Sequence, residues 1–337
     1  MKRPFRFLFL LVAGVVLYCL VSRCDRKGPQ PQAAAQLLRV ERIWDKAPHH
    51  AFTDLIRFRG HWFCVCREGQ DHISFDGVLR VLTSKDGRRW QSAALLAVPE
   101  ADLRDGKFSL TPAESLMLIA GARRGTEPAN FASLVWFSGD GHHWSGPTQV
   151  ADPDYWLWRV TWHKGICYGL GYSCGPEHNT RLYASRDGRT FTTLVPRVYD
   201  LDYANESSLV FVEGDTMLCL LRRDPEQGLL GIAGPPYSQW RWLPLGVRIG
   251  GPCMLRLPDG RLLAAVRLYD QRMRTALCWV NRQQGTLEEL LTLPSGGDTS
   301  YPGLVWHKKR LWVSYYSTHE EKTAVYLAEV TLAIGGE

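Results

Sequence analysis

The run "GGDTSYPGLVW" at residues 296–306 sets Tyr301 between a turn and an apolar segment, where a tyrosine either packs at a strand start or stands at the rim of a pocket. The stretch "NESSLVFVEGDTMLCLLRR" opens with Glu206 directly after Asn205 and ends on Arg222 and Arg223. The loop "EGQDHISFDG" offers Asp71, His72 and Asp76, while Asp54 in "FTDLIRF" and Asp105 in "LRDGKF" open two further apolar runs. Carboxylates, a phenol and guanidinium groups at strand mouths are the groups that exchange protons and hold anions. Each also has an ordinary explanation: a surface glutamate, a solvated arginine pair, a plain turn at Asp76-Gly77. "CVC" at Cys64–Cys66 with His61 and His72 nearby could be half a metal site, but i, i+2 spacing on a strand only puts two thiols on one face. No metal or cofactor is expected.

Such residues act together only if the chain brings them together, and the repeats say how. Apolar runs with period-two alternation, each broken by a polar turn, recur as hairpins starting at Leu55, Phe108, Val160, Leu209, Met254 and Leu304. Their separations of 53, 52, 49, 45 and 50 residues, with no helical pattern, are those of a propeller with one four-stranded blade per repeat. The fold expected is all-β, a six-bladed β-propeller of antiparallel blades over residues 37–337. "LLRVERIW" (Leu37–Trp44) is the strand that completes the last blade after "VYLAEVTL". A second repeat, Ser-x-Asp-Gly-x-x-aromatic, appears as "SKDGRRW", "SGDGHHW" and "SRDGRTF" from Ser84, Ser138 and Ser185. It reads as a rim turn with glycine at positive φ, aspartate on turn N–H groups and an aromatic plug, and so as structural.

Composition narrows the classes. The chain has 337 residues, 45% of them apolar and 25 of them Phe or Trp, enough for a large core. Of the net +6, Lys2, Arg3, Arg6, Arg23, Arg26 and Lys27 against Asp25 place +5 in the first 27 residues. About +1 is left for the rest, which removes the footprint that nucleic acid needs. That basic start precedes the uncharged run Phe7–Val21, long for a signal core and short for a span. Residues 1–27 are therefore expected to be a signal peptide or, preferably, an uncleaved anchor, with residues 28–36 as linker. The protein is expected to be exported, membrane-anchored or periplasmic/extracellular, and monomeric. Five of the nine cysteines (Cys64, Cys66, Cys167, Cys219, Cys278) lie in apolar runs and read as buried thiols.

With these repeats the chain resembles the sialidase-like six-bladed propellers, whose Asp boxes have this composition, over essentially everything after Leu37. The resemblance implies a glycosidase that removes a terminal acidic sugar from a glycan, with a tyrosine nucleophile, a glutamate partner, an aspartic acid/base and three arginines clamping a carboxylate. "TSYPGL" is similar to the family's tyrosine segment, which makes Tyr301 the nucleophile. Glu206 matches the partner glutamate that takes the phenolic proton, since free tyrosine titrates near pH ~10. Arg222 is preferred over Arg223 for one clamp position. "MRTALCWV" points to Arg274 for another, with Arg267 in "AAVRLYD" as competitor.

The first blade departs from the family pattern, because "HAFTDLI" has no arginine where the first clamp residue belongs. Arg67 in "VCREGQDH" or Arg159 in "WLWRVTW" is the substitute, and the acid/base falls on Asp76 or Asp71, with His72 also in the loop. Trp156, Trp158 and Trp162 could share one face by alternation and mostly fill space. An alternative reading uses Asp54, Asp105 and Glu206, which resemble the three carboxylates of inverting furanosidase-type propellers, with Tyr301 as a wall. A non-catalytic glycan-binding propeller is a third.

Overall fold

Residues that alternate in polarity between Gly- and Asp-rich turns can bury themselves only by pairing into ladders and stacking the ladders face to face. The computed structural model, which describes Met1 and residues 35–125 and 130–333, does so with twenty-four strands. Among the described residues there is no α-helix, only a 3₁₀ turn at Glu213–Asp215. The N-terminal anchor and most of the linker expected from the sequence lie outside the described residues. No helix among the described residues is long and apolar enough to cross a membrane.

After β1 (Ala35–Trp44), strands β2 (His49–Phe58), β3 (His61–Gly69), β4 (Val78–Ser84) and β5 (Gln91–Leu96) form the first blade. The second is β6 (Ala101–Leu110), β7 (Leu116–Arg124), β8 (Asn130–Ser138) and β9 (Thr148–Val150). The third is β10 (Tyr155–His163), β11 (Ile166–Ser173), β12 (Thr180–Ser185) and β13 (Thr192–Tyr199). The fourth is β14 (Tyr203–Phe211), β15 (Met217–Asp224), β16 (Leu229–Ala233) and β17 (Arg241–Pro244). The fifth is β18 (Ile249–Arg256), β19 (Leu262–Leu268), β20 (Arg274–Asn281) and β21 (Thr286–Thr292).

The sixth blade runs β22 (Thr299–His307), β23 (Arg310–Ser317), β24 (Ala324–Leu332) and then β1, so the first strand of the chain is the outermost strand of the last blade. Its register sets Ala35 opposite Leu332 and Trp44 opposite Val325, and it begins two residues before the expected Leu37. This pairing closes the ring and protects an edge that would otherwise be open.

The core is divided into six seams. Each apolar cluster joins two neighbouring blades: Leu79 and Val81 with Leu118 and Trp136, for example, or Leu263 and Leu277 with Tyr315 and Tyr326. The last seam joins the sixth blade to the first through Trp312, Val325, Trp62 and Cys64. The five cysteines named from the sequence are all buried free thiols. A seventh cluster (Phe52, Trp156, Trp158, Tyr172, Tyr301 and Tyr316 around Ala51) draws on the first, third and sixth blades and lies where the inner strands meet.

The three Ser-x-Asp-Gly turns share one geometry. In the second blade Asp140 Oδ1 accepts the N–H groups of His142 and His143 at 2.8 Å each, and Gly141 N–H donates to Ser138 Oγ at 2.8 Å. Asp86 with Arg88 and Arg89, and Asp187 with Arg189 and Thr190, repeat it. These backbone bonds hold each carboxyl below the usual range. The turns lie between the third and fourth strands and lean on the preceding blade. A Cβ at Gly141 would lie 2.3 Å from Phe63, and one at Gly87 2.8 Å from Trp312.

Gly141 and Gly60 both have φ of 79°, but nothing lies within 4 Å of a Cβ at Gly60. Gly60→Ala is therefore expected to cost about 1 kcal/mol for the left-handed backbone alone. Gly141→Ala adds about 1–3 kcal/mol for displacing Phe63. Urea denaturation of the two variants measures the difference; equal losses would mean that the turn does not hold the seam.

Candidate active site

The six inner strands share one irregularity. In β2, Ala51 faces Arg67 and the next pair is Asp54 with Val65, so three steps of the inner strand match two of its neighbour. The same one-residue bulge follows Arg104, Leu157, Ala204, Gly250 and Ser300. A bulge re-aims the side chains beside it. Here the re-aimed pairs are Phe52–Thr53, Asp105–Gly106, Trp158–Arg159, Asn205–Glu206, Gly251–Pro252 and Tyr301–Pro302. Phe52, Asp105, Gly251 and Tyr301, the first member of four of these pairs, have φ between 50° and 57°, backbone that is costly except for the glycine and that gathers at functional sites.

At the centre, Tyr301 Oη donates a short hydrogen bond to Glu206 Oε1. Arg222 Nη1 donates to both, at 2.9 Å to Glu206 Oε1 and 3.0 Å to Tyr301 Oη. Glu206 Oε2 accepts the N–H of Gly251 at 2.7 Å, and Asn205 Oδ1 fixes the backbone N–H of Glu206 at 2.7 Å. Gly251 is needed there, because a Cβ would lie 2.9 Å from the Tyr301 Cα and ring. Burial, and then the charge of Glu206, push the Tyr301 phenol well above its ordinary value, with Arg222 and Arg267 opposing. The phenol is thus protonated at rest and hydrogen-bonded to a carboxylate that can accept its proton.

Arg267 lies 5.1 Å from the Tyr301 ring centroid, and its Nη2 donates to Tyr316 Oη at 2.8 Å and to Asp298 Oδ1 at 3.0 Å. Burial works against the charge on Arg222 and Arg267, but Glu206 beside the first and Tyr316 and Tyr301 beside the second keep both guanidinium groups charged. Among the described residues no hydrogen bond uses Arg222 Nη2 or Arg267 Nη1, which leaves one donor group on each for a ligand. Phe52 packs edge-on to Tyr301 with centroids 4.9 Å apart, Trp158 lies 6.1 Å away, and Arg104 covers Phe52 at 4.6 Å.

The other residues named from the sequence lie elsewhere. Arg274, the expected clamp residue, is bound to Asp270 and to Glu289 on the outermost strand of its blade. Its competitor Arg267, on the second strand, which flanks the bulge, is the arginine of that blade beside Tyr301. Arg67 is fully buried, and its donors go to Asp102 Oδ1 at 2.7 Å, the Asp71 carbonyl at 2.8 Å and Ser74, so it ties down the 70–77 loop and is closed to a ligand. Arg159 pairs with buried Asp54 at 3.2 Å, and Asp54 Oδ2 also accepts Phe108 N–H at 2.7 Å. That pair engages both Asp54 oxygens, while Arg159 Nε has no hydrogen-bond partner.

Asp76 is exposed and turned back onto Gln70 N–H, with its carboxyl held below the usual value first by Ser74. Asp71 is exposed as well. Neither is bound to the Tyr301–Glu206 group; of that loop, His72 comes nearest to it, with its ring edge-on to Phe52, which packs against Tyr301. The bulge also divides the tryptophans: Trp156 and Trp158 join the axial cluster, while Trp162 packs in the seam between the second and third blades.

Asp105 faces the same mouth. It is 6% exposed, its Oδ1 has no hydrogen-bond partner, and burial pushes its carboxyl up to about 6 despite Lys107 and Arg104. His49, His72 and Asp298 place ligand atoms within 4.8 Å of one another, a spacing that suits a cation. Arg267 and Tyr316 already donate to that carboxylate, however, and Arg104 faces His72, so the surroundings are positive before any ion arrives. Sequence reasoning missed Gly251, Phe52, Tyr316 and Asp298. Aligning the six repeats on the residue before each bulge would have found the first two, since "GGPC" and "SYPG" then coincide.

No family model and no curated protein matches this chain. Among solved structures it is similar to a protein of unknown function from Dyadobacter fermentans, with 19% identity over 89% of this chain and 99% of that one and a TM-score of 0.79. It is similar to Trypanosoma rangeli sialidase in complex with sialic acid, with 11% identity over 88% of this chain and 57% of that one and a TM-score of 0.62. A Penicillium chrysogenum alpha-L-arabinanase complexed with arabinobiose gives 14%, 87%, 98% and 0.64. The chain spans about half the length of the trypanosomal sialidase.

Asp105 titrates between its ordinary 3.8 and about 6, so the fold favours its protonated form; that preference is intact below 3.8 and lost as pH rises through about 6. Asp105→Asn should match the parent in stability near pH 4 and exceed it by roughly 3 kcal/mol at pH 8, at 1.36 kcal/mol per unit. Urea denaturation at the two pH values checks this, and a variant no more stable at pH 8 would refute it. With these likenesses, what the chain shares with the sialidase and the arabinanase is the propeller fold, as the repeats led one to expect.

Proposed function

We propose that this propeller is an exo-acting glycoside hydrolase of the sialidase type, which removes a terminal acidic sugar from glycans with retention of configuration. The observation that carries the reading is the Tyr301–Glu206 hydrogen bond bridged by Arg222 on the propeller axis. A neutral phenol can approach an anionic sugar that would repel a carboxylate nucleophile. As Tyr301 Oη attacks the anomeric carbon, its proton passes to Glu206, and Arg222 steadies the charge that moves between them. Arg222 Nη2 and Arg267 Nη1 are the donors for a sugar carboxylate, a two-arginine clamp with Phe52 in place of the third. The basic start and apolar run of the sequence support export and a membrane tether, so the substrate would be an extracellular or periplasmic glycan. The inverting alternative is weakened by the Asp54–Arg159 pair.

Tyr301→Phe is expected to lower kcat by at least about 1000-fold on an aryl sialoside while binding of the free sugar, followed by calorimetry, changes by less than about threefold. NMR of the first-formed product should show the anomer of the substrate. The opposite anomer would favour a direct attack by water, and unchanged turnover in the variant would leave a binding protein with a different active centre, or none.

The clamp is tested separately. Arg267→Lys should reduce kcat/KM by about 100-fold, because lysine cannot copy the planar fork, and Arg274→Lys by less than about threefold. The reverse order would return Arg274 to the site.

A further inference from the structure

We infer that His72, held by Asp298, is the group that gives a proton to the departing sugar oxygen and later takes one from water. This rests on the reading of Tyr301 as nucleophile and adds the residue that the reading lacks.

The argument begins with what the 70–77 loop presents. Arg67 anchors the loop from beneath, through the Asp71 carbonyl and Ser74, and Asp76 is occupied with Gln70. His72 is the residue left pointing at the axial cluster: its ring is edge-on to Phe52 with centroids 5.3 Å apart, and Phe52 is edge-on to Tyr301. His72 Nδ1 lies 2.8 Å from Asp298 Oδ2. The other oxygen of Asp298 accepts from Tyr316 at 2.6 Å and from Arg267 at 3.0 Å, and Arg267 covers the Tyr301 ring. One carboxylate therefore ties the imidazole to the nucleophile and the clamp. Burial works against the charge on Asp298, but its bonds with His49, His72 and Tyr316 keep it ionised. An ionised carboxylate on Nδ1 fixes the tautomer and orientation of the ring. Nε2 accepts from Arg104 Nη2 at 3.3 Å and must exchange that donor for the leaving oxygen to act.

Every charged neighbour of the ring bears on its proton. Asp298 attracts a positive imidazole. Arg104, from β6, repels it, with Nη2 3.3 Å from Nε2, and so does His49, from β2, when charged, at a ring distance of 5.5 Å. Asp105 interacts with it through space. Position separates the two candidate donors. The side chain of His72 is 45% exposed at the rim, where a leaving group departs, whereas Asp105 is buried with one oxygen out of contact with solvent.

The steps balance. Tyr301 Oη bonds to the anomeric carbon, its proton goes to Glu206, and the glycosidic C–O bond breaks. The leaving oxygen keeps the electron pair and takes the proton from Nε2, leaving a neutral imidazole. Water then bonds to the same carbon and gives its proton to Nε2, and the Tyr301 oxygen leaves with the proton held by Glu206.

The test compares an aryl sialoside, whose leaving group needs little protonation, with a sialylated disaccharide, whose leaving group needs it. His72→Gln is expected to lose about 100-fold or more in kcat/KM on the disaccharide and less than about fivefold on the aryl sialoside. Its pH profile should lose the alkaline limb, and azide should restore turnover with a glycosyl azide as product. Equal losses on both substrates, an unchanged pH profile, or the same leaving-group dependence in Asp105→Asn instead would overturn the assignment. Mass spectrometry with a difluorinated sialic acid separates this failure from failure of the underlying reading. An adduct at Tyr301 in the unaltered protein upholds that reading whatever His72→Gln does; neither adduct nor hydrolysis in the unaltered protein overturns both.

Discussion

Because each inner strand uses one residue more than its neighbour to cover the same length of ladder, the alternation of faces is interrupted at the same depth in all six blades. Side chains that would otherwise enter a seam or follow the strand turn towards the axis instead. The consequence is chemical. Tyr301 and Glu206, 95 residues apart along the chain, become hydrogen-bonded neighbours because each occupies the bulge of its own blade. Gly251, in the bulge between them, gives up its side chain so that its N–H can reach Glu206. No local motif could make that contact; only a closed ring with a common register can.

Charge is layered around this axis. Around the phenol and its glutamate lie buried ion pairs: Asp54 with Arg159, and Arg67 with Asp102. Lys107 caps the Thr53 carbonyl at 2.9 Å and faces the Trp158 ring, and burial, followed by Arg159, lowers it to about 8. Beside these groups, no hydrogen bond among the described residues uses Arg222 Nη2 or Arg267 Nη1, and Asp105 Oδ1 is without a partner. The contrast is informative, since a buried polar group without a partner is costly in a fold that could have removed it.

The architecture was legible because it rests on period and turn chemistry. The six hairpin starts read from the sequence fall within one residue of a constant offset from the observed bulges, and the strand that closes the ring was identified to within two residues. Tyr301, Glu206 and Arg222 were singled out through the resemblance and not through spacing alone, and the three are hydrogen-bonded to one another. The differences have more than one physical origin. Alternation was followed through β10 as though unbroken, which put Trp162 with Trp158, whereas Arg274 was chosen by the likeness of its segment and pairs with Asp270 and Glu289. A bulge reverses parity and leaves no mark in composition. Asp71 and Asp76 were chosen as the chemically suitable residues of a loop, but loop side chains are aimed by their tethers, and Arg67, the tether here, had itself been taken for a ligand.

The cost of the site falls on a structure able to bear it. Positive φ at Phe52, Asp105 and Tyr301, an unpartnered carboxyl oxygen and several buried guanidinium groups each oppose folding by an amount comparable to one good core contact. Six apolar seams, the rim turns that lean across them and the β1–β24 pairing hold the blades regardless of what the axis contains. Strain in the mouth is therefore not relieved by opening it, because opening one blade would expose two seams. That asymmetry lets a propeller hold Phe52, Asp105 and Tyr301 at its mouth in backbone conformations that none of its blades would adopt alone.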